Sequence, residues 1–161
     1  MRLTRLFPCA AGGATPLFDA VEIAAELLVH REQPDAWPVI ILFSDGDDNN
    51  SKSSLGDALE KVLASGAQVY AIDVSDPRNR SQGKATLRTI AEESGGRSIP
   101  IRNGAGTIFN DVIEDLHSAR LVTYLAPKSG SEFHSVRILP THNLNLQFRS
   151  RRGYYQRGKA H

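Results

Sequence analysis

The sequence predicts an α/β fold in which a doubly wound, mostly parallel, Rossmann-like sheet is followed by a C-terminal β-hairpin. Three observations carry this prediction. Apolar runs of strand length alternate with amphipathic helical segments as far as about residue 120. Three β-type runs then follow with no helical segment between them. The chain has 161 residues, 40% of them hydrophobic and 23% charged, which suits one domain with a buried core.

The first elements are a helix and a strand, joined by a polar, proline-bounded turn. The helix is predicted to have Thr15 as its N-cap and Pro16 at its first position, and to end near Arg31. The continuous apolar run from Val39 to Phe43 has strand length, and we expect it to be buried on both faces of the sheet. The remaining predicted elements are a helix from Leu55 to Gly66, a strand from Val69 to Val74, a helix around Leu87 that ends at Gly95, an edge strand from Ser98 to Ile101, and a helix from Ile108 to Leu116.

The chain changes character after this last helix. Leu121 to Leu125, Ser135 to Leu139 and Leu144 to Phe148 are β-type runs separated by turn residues. We expect the first run to join the main sheet and the other two to form an antiparallel hairpin. The basic end, Arg149 to His161, is expected to fray. The predicted organisation is an α/β domain over 1–120, a last sheet strand with a hairpin over 121–150, and a flexible basic tail over 151–161.

Composition and charge exclude several classes of protein. Nineteen basic and eighteen acidic residues give a net charge of +1, so we expect no nucleic-acid partner and interpret the basic end as a solvated tail. The single cysteine, Cys9, cannot form an internal disulfide. No apolar run approaches the ~20 residues that cross a bilayer. Met1 to Cys9 lacks the continuous apolar stretch of an export signal, and the compartment is left open.

Two segments place oxygen donors at the same end of the predicted sheet. Asp45 closely follows the Val39 to Phe43 strand, and Thr15 heads the first helix after Gly12 and Gly13. Ligands of open α/β sheets collect at the carboxyl ends of the strands. A hydroxyl and a carboxylate are hard donors that Mg²⁺, Mn²⁺ or Ca²⁺ accepts. The sequence therefore predicts a cation site at Thr15 and Asp45, although a plain N-cap and an Asp-Gly turn residue remain alternatives.

Further residues are expected around this pair, either at the rim of the cation site or in contact with its two ligands. They are Ser44, Gly46 and Asp47 beside Asp45, and Asp73 at the end of the neighbouring strand. Asp48 and Asn49 are interpreted, with Asp47, as a solvated rim. Because two protein ligands make a weak site, we expect Mg²⁺, or Mn²⁺ or Ca²⁺ in its place, to bind this chain alone weakly or not at all.

These loops resemble those of a known family. Gly12 to Ala20 and Ile40 to Asp48 are similar to the second and third loops of the von Willebrand factor type A (VWA) domain, an integrin-like fold with a metal-ion-dependent adhesion site (MIDAS). Tyr70 to Asp73, Thr123 to Leu125 and Phe148 to Tyr154 make the chain more similar still to the VWA-related proteins abundant in Acidobacteria, which carry this hairpin after the domain. The resemblance covers roughly residues 10 to 155.

The resemblance implies a non-enzymatic, adhesion-type domain that binds proteins. In such a domain a bound cation with an open coordination position captures an acidic side chain of the partner. Thr15 would match the family's second-loop threonine, and Asp45 its third-loop aspartate. For full-length relatives the resemblance also implies a secreted or periplasmic location.

The chain departs from the family at its start. The family's first loop, an Asp-x-Ser-x-Ser sequence after the first strand, has no counterpart before Gly12, so the site is expected to be incomplete. In the family the first strand lies beside the strand that matches Val39 to Phe43. We therefore expect an N-terminally truncated sheet that lacks this strand. Its Val39 to Phe43 edge would be open to strand complementation or self-association, or the chain would be a fragment of a longer gene product.

Two other functions remain open. A Mg-dependent phosphohydrolase or receiver-like phosphoacceptor would use Asp45, Asp47 and Asp73. The sequence has neither a phosphate-cradling glycine loop with its lysine nor a Gly-x-Ser-x-Gly elbow. A non-functional structural fragment would keep the fold without the cation site. Turnover that depends on Asp45 distinguishes the enzyme, and partner binding that is indifferent to Thr15→Ala and Asp45→Ala distinguishes the fragment.

Overall fold

The predicted alternation of helices and strands is present in the computed structural model of the chain. The structure describes residues 13–33, 35–76, 78, 82–101, 105–125, 133–142, 145–146 and 148–155. The elements in these ranges are α1 (Leu17–Val29), β1 (Val39–Ser44), α2 (Leu55–Ser65), β2 (Gln68–Asp73), α3 (Gly83–Glu93), β3 (Arg97–Pro100), α4 (Ala105–Ser118), β4 (Phe133–Ser135) and β5 (Gly153–Tyr155).

The main sheet consists of three parallel strands in the order β1-β2-β3. Val39 lies beside Gln68 at one end of the β1-β2 pair, and Ser44 lies beside Asp73 at the other. Parallel neighbours need a crossover connection, which α2 supplies between β1 and β2, and α3 between β2 and β3. All three strands therefore end at the same edge of the sheet. Within the described ranges, β1 and β3 are the two outer strands.

Helices pack on both faces of this sheet. On one face α1, α2 and α3 contact the strands through a core that includes Val21, Val62 and Ile90. On the other face Ile108 of α4 packs against Tyr70 of β2. Tyr70 is fully buried. The doubly wound α/β prediction is confirmed.

Local sequence explains both ends of α2. The hydroxyl of Ser54 accepts a hydrogen bond from the N–H of Asp57, while the Asp57 carboxylate accepts the N–H of Ser54 at 2.8 Å. This reciprocal capping box satisfies two N–H groups that the first turn leaves free. Gly66 adopts the left-handed conformation (φ 72°) that ends the helix, as predicted.

The predicted start and end of α1 are wrong by one or two residues. The helix begins at Leu17, with Pro16 at the cap position, and ends at Val29 rather than Arg31. Thr15 is therefore not the N-cap. Pro16 has no side-chain oxygen, so the first N–H groups of α1 must find acceptors elsewhere.

The expectation that β1 is buried on both faces is also wrong. Ile40 is buried, but Phe43 is 49% exposed and Ile41 is half-buried. The core on the α4 side is centred on Tyr70 and Ile72 of β2 and on Ile99 of β3, so that β1 lies at its margin.

The C-terminal part forms an antiparallel pair, but from other residues than those predicted. Phe133–Ser135 pairs with Gly153–Tyr155, instead of Ser135 to Leu139 with Leu144 to Phe148. Leu121 to Leu125 has no regular structure and does not join the main sheet.

The basic end is anchored, which explains the different pairing. The N–H of Arg152 donates to the carbonyl of Glu93 at the end of α3, and the Arg152 guanidinium binds the Glu93 carboxylate at 2.7 Å. The rings of Phe133 and Tyr155 are 5.2 Å apart. The expected fraying is therefore wrong for Gly153–Tyr155, whereas 156–161 lie outside the described residues, as does Leu144. The proposed division at 120 and 150 stays a prediction. None of the helices in the described ranges is long and apolar enough to cross a bilayer.

Candidate functional site

The loop that follows β1 carries Asp45 at the carboxyl end of the sheet. Asp45 is exposed, and one of its carboxylate oxygens accepts the N–H of Asp47 at 3.2 Å. Ser44 is buried, and its hydroxyl accepts the N–H of Gly46 at 3.0 Å. These short-range bonds fix the turn in which Asp45 is placed, with Ser44 supporting it from inside.

Two glycines allow this loop to touch the start of α3. Gly46 has φ +85°, and a Cβ atom on it would overlap the backbone of Gly83. A Cβ on Gly83 would in turn come within 2.7 Å of the Asp47 carboxylate. Gly46 is therefore required by backbone packing, a role that its sequence position did not reveal.

Thr15 is bound to the same loop. Its N–H donates to the side-chain oxygen of Asn49 at 2.6 Å, and the N–H of Asn49 donates to the carbonyl of Thr15 at 3.2 Å. Asn49 follows Asp45 by four positions. The structure thus brings the segments of both predicted ligands to one end of the sheet. Coordination of a common cation by the two side chains stays a prediction.

Asp48 and Ser51, in the loop that follows β1, cap the start of α1. The Asp48 carboxylate accepts the N–H groups of Leu17 at 2.7 Å and Phe18 at 3.3 Å. The Ser51 hydroxyl accepts those of Phe18 and Asp19 at 2.9 and 3.2 Å, and itself donates to Asp48. The free N–H groups of the first turn are satisfied by these bonds. The interpretation of Asp48 as part of a solvated rim is therefore wrong, whereas Asn49 is exposed.

Hydrogen bonds favour the ionised form of the Asp48 carboxylate. Partial burial acts to raise the pKa of Asp48, but the hydrogen bonds from Ser51, Phe18 and Leu17 outweigh it and lower the pKa below its ordinary value. The negative charge also lies at the positive end of the helix dipole of α1.

Asp19 makes the reciprocal contact from the helix to the loop. Its carboxylate accepts the N–H groups of Lys52 and Ser53 at 2.9 to 3.1 Å. The backbone hydrogen bonds from Ser53 and Lys52 lower the pKa of Asp19. Sequence reasoning missed Asp19, Asp48 and Ser51 because their partners lie 30 to 34 positions away, beyond any local motif.

Asp73 is the last residue of β2, and its carboxylate is hydrogen-bonded within the turn that follows. One oxygen of its carboxylate accepts the N–H of Ser75 at 2.9 Å and also the Ser75 hydroxyl. No contact in the described residues links it to Asp45, so a supporting role behind a cation ligand stays a prediction.

The side chains near Asp45 offer oxygen donors of the type that divalent cations bind, but only a few of them. Within the described ranges, no three His, Cys, Asp or Glu side chains are grouped so that they could hold a metal ion. The Asp48 carboxylate is already bound to α1. Thr15 and Asp45, with the exposed Asp47 beside Asp45, carry hard oxygen donors of the kind that a divalent cation accepts.

A parallel sheet with helices on both faces, and polar loops gathered at the carboxyl ends of its strands, defines a domain of the doubly wound α/β class, in which ligands generally collect at that edge. The family model of the von Willebrand factor type A domain matches residues 2–112, and the chain belongs to this family. Membership indicates a protein-binding or adhesion-type function. No curated protein and no solved structure matches the chain. The closer similarity to VWA-related proteins of Acidobacteria, and the shortened start, stay predictions.

Proposed function

We propose that this domain is a non-enzymatic module that binds an acidic side chain of a partner protein at the carboxyl end of its sheet. A divalent cation, Mg²⁺ or a similar ion, would be held there by Thr15 and Asp45 in an incomplete MIDAS. The observation that supports this most is the exchange of hydrogen bonds between Thr15 and Asn49, because it joins the two donor-bearing segments.

The chain's own residues present oxygen donors on a fixed frame. Asp45 lies on a turn that Ser44 and Gly46 stabilise, and Thr15 precedes a helix whose start is bound to Asp48. Such a frame keeps both segments in place before any ligand arrives, which lowers the entropy lost on binding. When bound, the cation would supply a positive centre for a carboxylate of the partner.

The proposed affinity for the cation is low. Two protein oxygens leave most coordination positions to water, and Mg²⁺ gives up its water reluctantly. Further donors would have to come from outside the described residues or from a partner.

The proposal is tested by titrating the purified chain with Mn²⁺ and measuring heat or paramagnetic broadening. Thr15→Ala and Asp45→Ala are each expected to weaken Mn²⁺ binding by about tenfold or more, equivalent to about 1.4 kcal/mol. Glu60→Ala, which removes an exposed carboxylate from α2, is the matched control and is expected to leave binding unchanged. Mn²⁺ binding that is indifferent to both Thr15 and Asp45 would overturn the cation site.

A second assay separates the binding module from its two rivals. Hydrolysis of p-nitrophenyl phosphate with Mg²⁺ that is abolished by Asp45→Asn would favour the phosphohydrolase. For the module, Mn²⁺ should increase retention of the chain on an immobilised polyglutamate peptide, and Asp45→Ala should remove that increase. Equal retention of the original chain and the variant would favour the structural fragment.

A further inference from the structure

Helix α3 carries charges of the unfavourable sign at both of its ends. A helix is stabilised by acidic groups in its first turn and by basic groups in its last turn. The first turn of α3 has no acidic residue and contains Lys84, and the last turn has no basic residue and contains Glu92 and Glu93. Gln82, at the cap position, makes no side-chain capping hydrogen bond. The sequence of α3 therefore stabilises neither end of the helix.

The loop that carries Asp45 packs against the start of α3. A Cβ atom added to Gly83 would lie 2.4 Å from the carbonyl oxygen of Asp45 and 2.7 Å from a carboxylate oxygen of Asp47. Because Gly83 is buried, the backbone of the loop and the first turn of the helix are in direct contact. The Asp47 carboxylate also brings a negative charge to the positive end of the helix. A shift of the start of α3 would therefore displace the backbone of Asp45.

The C-terminal segment 149–153 packs against the other end of α3. The N–H of Arg152 donates to the carbonyl of Glu93 at 2.9 Å, and the Arg152 guanidinium binds the Glu93 carboxylate at 2.7 Å. A Cβ atom added to Gly95 would lie 2.6 Å from the backbone nitrogen of Arg151. Arg152 thus supplies the positive charge that the last turn of α3 lacks.

We propose that Glu93 and Arg152 are positioning residues for the candidate cation site, because α3 links their contact to the loop of Asp45. The helix has 11 residues and is about 16 Å long. Its buried residue Leu87 packs on the sheet between the two end contacts. Loosening the segment 149–153 should make the loop more mobile and lower its affinity for a cation. The change in affinity rests on the proposed function, whereas the change in loop mobility does not.

Contacts with β2 limit the size of the effect. The Ser94 hydroxyl accepts the N–H of Val69 at 2.8 Å, and the carbonyl of Gly95 accepts the side-chain amide of Gln68 at 2.8 Å. These bonds remain when the contact of Arg152 is lost, so α3 should stay folded. An ion pair with an exposed arginine is weak, and we therefore expect changes of at most about fivefold.

Amide hydrogen exchange of the full chain without metal, followed by NMR, tests the link. Glu93→Ala should speed the exchange of the Gly46 N–H, which donates to the Ser44 hydroxyl in the loop, by about two- to fivefold. Glu92→Ala removes an ion pair of the same kind, with Arg88, and should leave that exchange unchanged. Glu93→Gln keeps an acceptor for the Arg152 guanidinium and should restore most of the slower exchange.

A pair of glycine variants makes the same test without removing a charge. Gly95→Ala drives a methyl group into the backbone of the segment 149–153, whereas the methyl group of Gly66→Ala meets no atom closer than 4.0 Å. The two glycines lie just past the ends of α3 and α2 with φ of 87° and 72°, so the backbone strain is similar in both variants. Only Gly95→Ala should speed the exchange of the Gly46 N–H.

Mn²⁺ titration of the same variants separates this inference from the proposed function. Mn²⁺ binding weakened by about two- to fivefold in Glu93→Ala and Gly95→Ala, but not in Glu92→Ala and Gly66→Ala, supports both. If the original chain binds no Mn²⁺, the proposed function fails, and exchange of the Gly46 N–H alone decides whether α3 links the segment to the loop.

Exchange of the Gly46 N–H that is unchanged in Glu93→Ala, or that rises equally in Glu92→Ala, would overturn the inference. Equal acceleration in Gly95→Ala and Gly66→Ala would also count against it, because general strain would then explain the effect. If Gly95→Ala fails to fold, the glutamate variants still decide the question.

Discussion

The carboxylate of Asp48 accepts the backbone N–H of Leu17 at 2.7 Å, across 31 positions of sequence. With Ser51 it takes the place that a local N-cap would have at the start of α1. The loop after β1 therefore sets the position of the helix, and of Thr15 just before it. The contacts that cap α1 therefore also hold the segment of Thr15 beside the loop that carries Asp45.

Asp48→Ala should lower the free energy of unfolding by about 0.5–2 kcal/mol, the range measured for loss of a helix cap. The N–H groups of Leu17 and Phe18 lose an acceptor in this variant. Urea unfolding followed by circular dichroism measures the change. Asp47→Ala is the control, because Asp47 is exposed and caps no helix in the described structure, and its effect should be within about 0.5 kcal/mol. Equal losses in the two variants would contradict the cap.

Acidification should weaken the hydrogen bonds that the carboxylates of Asp48 and Asp19 accept. Folding lowers the pKa of Asp48 and Asp19 below the ordinary carboxyl value of 3.8, so the unfolded chain binds protons more readily than the folded one. The resulting stability is complete well above pH 3.8 and is lost as the pH falls through the lower pKa values of the folded state. The free energy of unfolding should therefore decrease on acidification below about pH 5.

Asp48→Asn should make this pH dependence shallower, since it removes one of the titrating groups. Asp57, whose pKa is also lowered by Ser54, keeps part of the slope in the variant. Urea midpoints measured from neutral pH downward give the comparison. A slope identical to that of the original chain would show that Asp48 has the same pKa in the folded and unfolded states.

Local patterns predicted those parts of the fold whose causes are local. The end of α2 depends on one left-handed residue, Gly66, and the strand β2 depends on one apolar run. The sequence therefore predicted both elements. The start of α1 was missed because its acceptors, Asp48 and Ser51, come from another loop. The pairing of β4 with β5 was missed because the anchor of Arg152, Glu93, lies 59 positions away. Both errors arise where a contact over long sequence separation decides between local alternatives.

In the candidate site, too, the features with local causes were predicted and those that depend on distant contacts were not. Thr15 and Asp45 were chosen for their chemistry and their place after a predicted strand, and the structure puts their segments together. The need for glycine at position 46 could not be read from the sequence, because it depends on the approach of Gly83 from α3.

Gly46→Ala should destabilise the domain by more than about 1 kcal/mol and displace the loop that carries Asp45. Its φ of +85° disfavours any side chain, and a Cβ would overlap Gly83. Gly106→Ala is the matched control, because Gly106 lies in α4 with open space around its Cβ position. That variant should be stabilised by roughly 0.5–1 kcal/mol. Chemical denaturation of both variants measures the difference, and destabilisation of similar size in the two would contradict a specific role for Gly46.

Glu93→Ala should loosen the C-terminal strand pair from α3. The variant loses the bond from the Arg152 guanidinium, which is 2.7 Å long, but keeps the backbone bond between the same residues. An ion pair with an exposed arginine contributes at most about 1 kcal/mol, so cleavage of the β4-β5 region by chymotrypsin should rise by up to about fivefold. Glu92→Ala is the adjacent control, because Glu92 pairs with Arg88 within α3 and makes no ion pair with β4 or β5 in the described part of the chain. Mass spectrometry of the fragments identifies the cut sites, and raising the salt concentration should narrow the difference between the original chain and Glu93→Ala. Faster cleavage in Glu92→Ala as well would show that general weakening of α3, rather than loss of the anchor, exposes the strands.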